Sequence, residues 1–431
     1  LLLTDYFKGR KINRQTIIEK LPFFLLAIIF GIVAVYAQKT LGATESTVFP
    51  LPQRVIFAGY SFITYFIKLL MPLNLSSYYP YPIKVGGIIP AQYYIYLVIV
   101  LGLIIYISCF HRYSKKIIFG TAFFTGTIFF VLQLLPVGDT VMADRYCYIP
   151  SIGIFFLAGE GFYWLWNKNR KSISVILTSA FIIFFSVQTY ARCRVWENGL
   201  TLWNDVINKY KIIPAAYYNR GLYLFNENQD KEALNNFNKS IELKPDYADA
   251  YNNRGSLFIK QGKTDEALID LNKAISYNTN FIQSYFNRGF LLYQKKQYAE
   301  ALMDYNKVIE LKPDAEKLTI VYNLMGLLYM SEKKYKEALD NFNKAIELKP
   351  DFAEAINNRG SLWIRQGKYE EAIRNFSTAI EFRSDYAEAF FNRGIAEFNS
   401  GKKDAGCQDW QRAASLGYQP ATEAYRNNQC H

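Results

Sequence analysis

The residues best suited to chemistry lie in one short run, GDTVMADRYCYIPSIG (138–153). It sets Asp139, Asp144 and Arg145 at the mouth of an apolar stretch that carries Glu160 at membrane depth. A guanidinium matches phosphate geometry, so Arg145 suits the phosphate of a lipid-linked donor. Asp144 could orient that group, or bind a metal or a sugar. A plain salt bridge stabilising the loop accounts for the same residues equally well. A charge at the depth of Glu160 is costly unless paired or functional. A second loop, MPLNLSSYYPYP (71–82), followed by Lys84, is aromatic and proline-rich. It suits sugar stacking or anchoring at a membrane interface.

Other chemistries find little support. There is no GxxxxGK(S/T) phosphate loop, and Gly159-Glu160-Gly161 lies inside an apolar stretch. The only histidines are His111 and His431, so no multi-His metal site and no internal Cys–His or Ser–His catalytic pair is expected. Cys109, Cys147, Cys193, Cys407 and Cys430 are scattered without metal spacing and imply no disulfide framework. The sequons at Asn74, Asn238 and Asn375 are read as chance.

These candidates must be positioned by membrane helices. Six apolar stretches occupy about 21–37, 54–72, 93–110, 117–135, 146–166 and 173–190, most near the ~20 residues that cross hydrocarbon. Residues 1–212 hold 20 Lys/Arg against 8 Asp/Glu, whereas 213–431 hold 29 of each. The whole surplus of 12 therefore sits beside the apolar half, a membrane pattern; the neutral second half shows no basic stripe for nucleic acid. The basic segments 1–20, 111–116 and 167–172 belong together in the cytoplasm. That requires one stretch not to cross, and 54–72, with Arg54 and Lys68, is the candidate for a re-entrant or interfacial helix. Five crossings then place loops 38–92 and 136–145 and the second half outside the cytoplasm, with Arg192 and Arg194 counting against this count. If 54–72 does span, Lys68 must snorkel or face a polar cavity.

From residue 214 the sequence repeats with period 34, the tetratricopeptide (TPR) period. Glycines recur at 221, 255, 289, 326, 360 and 394; alanine follows twelve residues later in five repeats (Gly406 in the sixth), and a large apolar residue sixteen later. Small residues let paired helices approach, and the large one fills the gap. The fold class is all-α: a multi-span transmembrane helical bundle followed by a TPR α-solenoid of six helix-turn-helix repeats. The divisions are 1–190 membrane domain, 191–213 connecting amphipathic helix, 214–420 repeats (214–247, 248–281, 282–315, 319–352, 353–386, 387–420) and a tail, 421–431. An Asn-Arg-Gly triplet recurs at five of the six glycines, and its arginine has no evident role from sequence.

Stacked TPRs present a concave groove lined by the first helix of each pair. Positions around each glycine give an aromatic and aliphatic set (Tyr218, Leu222, Phe225, Phe286, Phe290, Tyr293, Phe391, Phe398) and a polar set (Asn252, Ser256, Lys260, Asn357, Ser361, Arg365). Asn side chains can bond an extended peptide and aromatics can hold its side chains, so a protein or peptide partner is expected here.

ADRYCYIPSIG (143–153), MPLNLSSYYPYP (71–82) and RCRVWENGLTLWNDV (192–206) running into TPRs resemble, in order, segments of the transmembrane and TPR-repeat-containing (TMTC) O-mannosyltransferases and their bacterial relatives. The resemblance implies a GT-C type glycosyltransferase that moves a sugar from a polyprenyl-phosphate donor to a protein hydroxyl outside the cytoplasm, with TPRs presenting the acceptor. In that family the catalytic acids sit in a loop near the N-terminus. The present sequence starts downstream of it, so no catalytic base is carried over and this portion alone is expected to be inactive. Asp144 and Arg145 are carried over as motif positions, with no cofactor beyond the sugar donor as substrate. The alternative is a non-enzymatic, membrane-anchored TPR adaptor.

Overall fold

The computed structural model describes residues 1–40, 49–82, 88–109, 114–132, 134, 140–428 and 430, so Lys84, His111 and Asp139 lie outside the described residues. The chain divides into two compact units, Leu1–Tyr223 and Leu224–His431.

The first unit contains α1 (Leu2–Phe7), α2 (Arg14–Ile18), α3 (Leu21–Thr40), α4 (Leu51–Leu70), α5 (Ala91–Cys109), α6 (Lys115–Ile128), α7 (Tyr148–Asn167), α8 (Lys171–Val195) and α9 (Gly199–Lys209). Among the described residues two stretches are long and apolar enough to cross a membrane, Arg14–Val33 and Lys171–Val195, and Ala91–Ile105 is apolar but shorter. The expected bundle of five or six spans thus has two members that meet both criteria.

Helices α6 and α7 close on each other through glycines. A Cβ on Gly153 would lie 2.5 Å from the carbonyl oxygen of Gly120, so only a bare backbone permits this approach, as small residues do between membrane helices. Glu160 is paired: Lys116 Nζ lies 2.5 Å from its carboxylate and 5.5 Å above the Tyr163 ring. Pairing answers the desolvation cost that singled Glu160 out.

Helix α4 is amphipathic and packs chiefly against α5. Its Arg54 donates to Leu134 O (2.8 Å), Ser61 to Val141 O (3.2 Å) and Tyr65 to Ala143 O (3.3 Å). Gly59 abuts Leu97, and Phe62 and Phe66 face Phe124. From first turn to last, α4 meets the start of α5, the end of α6 and the segment before α7. Lys68 Nζ donates to the carbonyls of Leu73 (2.8 Å) and Asn74 (3.1 Å), just beyond the end of α4. Beside it, β1 (Tyr79–Pro80) pairs antiparallel with β2 (Thr140–Met142).

The repeats form helix pairs: α10/α11 (Pro214–Asn226, Asp230–Leu243), α12/α13 (Ala248–Lys260, Thr264–Tyr277), α14/α15 (Ile282–Gln294, Tyr298–Glu310), α16/α17 (Ala315–Ser331, Tyr335–Leu348), α18/α19 (Ala353–Arg365, Tyr369–Phe382) and α20/α21 (Ala387–Asn399, Lys403–Ser415). The three-residue insertion is absorbed by lengthening α16. The recurring alanines are fully buried, as are the large residues sixteen after each glycine, Trp410 nearly so. At Gly326 a Cβ would meet the Phe342 ring at 2.5 Å, which explains the glycine.

The triplet arginine is a staple. Arg288 donates to both oxygens of Asp304 sixteen residues ahead (2.8 and 2.6 Å) and to Asn272 sixteen residues behind (2.6 Å). It thereby ties α14 to the second helix of its own repeat and of the preceding one. Arg254 does the same with Asp270 and Asn238, and Arg393 with Asp409 and Ser377. Arg359 has only neutral partners, Asn375 and Asn343. Arg220 reaches Asn204 on α9 (2.8 Å), so α9 occupies the place of a preceding second helix. The fourth repeat carries Leu324-Met325 instead of Asn-Arg and lacks the staple.

The expected tail is a helix, α22 (Gln419–Asn427), and the expectation of no disulfide is corrected: Cys407 on α21 is bonded to Cys430 just beyond α22. Spacing gave no hint because the two cysteines meet only after the chain turns back along the last repeat.

Candidate functional site

The loop 71–82, β1, β2 and the 3-10 turn Asp144–Cys147 build a platform beside α4. Pro72, Pro80 and Pro82 limit the loop's backbone freedom. Asn74 adopts φ +52°, a left-handed conformation that Asn tolerates. Ser76 donates from its hydroxyl to Tyr78 O (2.9 Å), and its N–H donates to the Tyr79 hydroxyl (2.9 Å). Tyr79 in turn donates to Asp144 Oδ1 (2.8 Å).

Asp144 faces inward. Its Oδ2 lies 4.0 Å from Arg192 Nη2, and both atoms are buried without a hydrogen-bond partner. Arg192 Nη1 donates to Asp205 (2.9 Å), which also pairs with Lys209 (2.5 Å); Lys209 donates to Leu75 O (2.6 Å). Two carboxylates and three cations (Arg192, Lys209 and Lys68) thus knit the loop, the 3-10 turn, α8 and α9. Burial raises the Asp144 carboxyl above its ordinary value, outweighing the Tyr79 hydrogen bond and the Arg192 charge that pull it down. Burial beside Asp144 likewise raises the Tyr79 hydroxyl. Asp144 is therefore tied into the scaffold.

Arg145, one residue on, is exposed. Its guanidinium stacks on Tyr146 (4.9 Å to the ring centre) and reaches only that residue's hydroxyl (3.4 Å). Among the described residues it pairs with no carboxylate. The two motif residues therefore divide: Asp144 anchors, and Arg145 is left for an anion. Sequence reasoning missed Arg192, Asp205 and Tyr79 as its supports, since they lie 47 or more residues from the motif and only folding gathers them. Arg192, awkward for the topology count, is explained by this network.

Beside the network a cavity of about 330 Å³ is lined by Tyr60, Tyr78, Tyr79, Tyr81, Tyr93 and Tyr210, with Pro80, Pro82, Pro214, Ile212 and Ile213. The aromatic loop contributes five of these residues.

In the repeats, the structure separates the expected groove residues. Asn252 and Asn357 are buried and bonded to the following repeat. Asn252 Oδ1 accepts from Ser284 (3.1 Å) and Asn287 (3.2 Å), and Asn357 Oδ1 accepts from Asn392 (3.1 Å). With Asn358 donating to Asn323 (3.0 Å), they form an asparagine ladder between neighbouring repeats. Ser256 accepts from Asn287 (3.0 Å) and Ser361 bonds to its own helix, donating to Asn357 O (3.2 Å). Lys260 is tied to Asn228 and Asp230 in the preceding repeat. Tyr218, Phe286, Phe290 and Phe391 are half-buried, and Arg365 is exposed with no carboxylate partner among the described residues.

The tetratricopeptide repeat family matches residues 221–262, 255–296 and 360–401 by one profile, and 282–315 and 320–352 by another. Curated relatives include human protein O-mannosyl-transferase TMTC1, 23% identical over 232 residues, covering 48% of this chain and 25% of that protein. Human protein O-mannosyl-transferase TMTC3 is 32% identical over 112 residues, covering 26% and 12%. The chain therefore matches a quarter or less of these relatives' lengths. A solved tetratricopeptide repeat protein from Parabacteroides merdae is 22% identical and covers 53% of this chain and 91% of its own, with a TM-score of 0.43. The chain carries TPR repeats and is similar, over part of its length, to the TMTC O-mannosyl-transferases.

Proposed function

From that kinship we propose that the chain forms part of a membrane glycosyltransferase, with the platform holding the phosphate of a polyprenyl-linked sugar and the repeats engaging an acceptor protein. The single observation that carries the reading is the division of the motif, in which Asp144 is anchored while Arg145 stands exposed and without a carboxylate among the described residues. A guanidinium so held offers a preformed fork to phosphate oxygens without first breaking an ion pair. The sugar is proposed to be mannose on the relatives' names alone, and no catalytic base is assigned.

The platform and repeats are proposed to face away from the cytoplasm. Lys115, Lys116, Lys168 and Lys171 flank the opposite ends of α6, α7 and α8 from Asp144 and Arg192, which suits the positive-inside rule. The Cys407–Cys430 bond supports the same side, because disulfides persist in oxidising compartments. TPR repeats generally mediate protein–protein interaction; here the half-buried Phe286, Phe290 and Phe391 with Arg365 are the proposed contacts.

The test is Arg145→Ala and Arg145→Lys in the protein expressed in its own membranes, with transfer from polyprenyl-phosphate mannose as the readout. Arg145→Ala should abolish transfer at unchanged abundance, and Arg145→Lys should retain a part. Undiminished transfer by Arg145→Ala would remove the phosphate role. The adaptor reading is favoured by one fact, that both repeat profiles fall entirely within the second half; absence of any transfer, with partners still captured by the repeats, would establish it.

A further inference from the structure

We propose that the tyrosine-lined cavity of the platform is a carbohydrate-binding site that accepts one pyranose ring. Six tyrosines form its walls, and all eleven lining residues are uncharged. Among the described residues the lining itself offers no counter-charge to a charged ligand, unlike Arg145. A lipid chain prefers aliphatic walls, and Ile212 and Ile213 are the only aliphatic side chains in the lining other than proline. A pyranose has what these walls complement: C–H faces for aromatic rings and equatorial hydroxyls for phenolic oxygens. The volume of about 330 Å³ falls at the small end of the ~300–1,000 Å³ typical of small-molecule sites.

The rings are set before any ligand arrives. Tyr81 leans on Phe49 and Phe57 (4.7 and 5.3 Å between ring centres), Tyr60 on Tyr93 (4.5 Å), and Tyr79 on Tyr210 (6.3 Å). Tyr79 is further locked by Asp144 and the Ser76 N–H. A rigid aromatic box loses little side-chain entropy on binding, which is the cost that most weakens small-ligand sites. The Tyr79 hydroxyl is already engaged as a donor to Asp144 Oδ1. Binding therefore rests on stacking by the half-buried Tyr60, Tyr78, Tyr81 and Tyr210.

This inference deepens the glycosyltransferase reading yet is tested without donor or acceptor. The full chain in lipid nanodiscs is titrated with methyl α-D-mannopyranoside by saturation-transfer NMR, with a hexaproline peptide as comparison. The expected result is saturable sugar binding that weakens at least about tenfold in Tyr81→Ala and in Tyr210→Ala. Tyr81→Trp, which keeps a stacking face, should retain binding and shows that loss is not misfolding. No saturable sugar binding, or binding indifferent to the alanine variants, would overturn the proposal and leave the tyrosines as an interfacial aromatic belt. Capture of the peptide in place of the sugar would overturn it equally. Sugar binding that persists in Arg145→Ala, while transfer is lost or unaffected, separates this outcome from that of the donor-phosphate reading.

Discussion

Replacing Arg288 and Arg359 by leucine should have very different costs, although both hold the same position in the repeat. The Asp304 side chain is 4% exposed and accepts two hydrogen bonds from Arg288. Arg288→Leu leaves that carboxylate buried without its cation, a situation that costs about 3–5 kcal/mol. Arg359 bonds only to Asn375 and Asn343, and burial without a carboxylate lowers its pKa, the mark of a charge held at some expense. Arg359→Leu removes two hydrogen bonds to neutral amides, worth roughly 1 kcal/mol each, and relieves that expense, for a net cost of about 0–2 kcal/mol. Because repeat arrays need not unfold as one unit, the suitable assay is hydrogen exchange read by mass spectrometry, repeat by repeat. The third repeat of Arg288→Leu should open more readily by at least about 2 kcal/mol than the fifth repeat of Arg359→Leu. The double variant Arg288→Leu/Asp304→Leu should recover most of the loss, since no charge is then stranded. Equal costs at the two positions, or no recovery in the double variant, would refute the account of the staple as a buried ion pair.

Two further outcomes are expected. Reducing Cys407–Cys430, or Cys430→Ser, releases a loop with a sequence separation of 23 and should destabilise the α22 cap by about 3 kcal/mol, measured as protease cleavage confined to the last repeat. Glu397, buried one turn beyond Arg393 and close to Asp409, has its carboxyl raised from 4.5 to about 7, first by burial and then by the Asp409 charge. The folded chain thus holds this proton over a range where the unfolded chain releases it, so stability should fall as pH rises from about 4.5 to about 7 and level off above; Glu397→Gln should flatten that part of a melting-temperature profile.

Much of the second unit was legible because its signals are local and repeated. A glycine, an alanine twelve residues on and a ring sixteen on must meet within one helix pair, so their spacing alone fixes the pair. The groove was read less well. Asn252 and Asn357 sit at groove positions by count, but they face the next repeat, and no spacing within a repeat reveals a partner 35 residues away. The arginine staple was visible as a recurrence and opaque as chemistry for the same reason, its two acceptors lying sixteen residues to either side. In the first unit the loop charges singled out the stretch that forms α4, which is amphipathic and packs on α5, α6 and β2. The platform was half legible: the motif drew attention to Asp144 and Arg145, but their opposite orientations depend on Tyr79, Arg192 and Asp205, which nothing in the motif announces.

The joint between the third and fourth repeats lacks both polar devices of its neighbours. Phe286 and Leu324 stand where the two adjoining joints have asparagines, Met325 stands where they have arginine, and the packing is apolar, around Val308, Val321, Met325 and Leu328, with a hydrogen bond from Lys317 to Gln283 (2.7 Å) across it. Hydrogen bonds fix direction, whereas greasy contact tolerates sliding. Under tension or torsion this greasy joint is therefore the compliant link of the spring, and a partner wider or narrower than the resting groove would be accommodated by a twist there rather than by melting a helix.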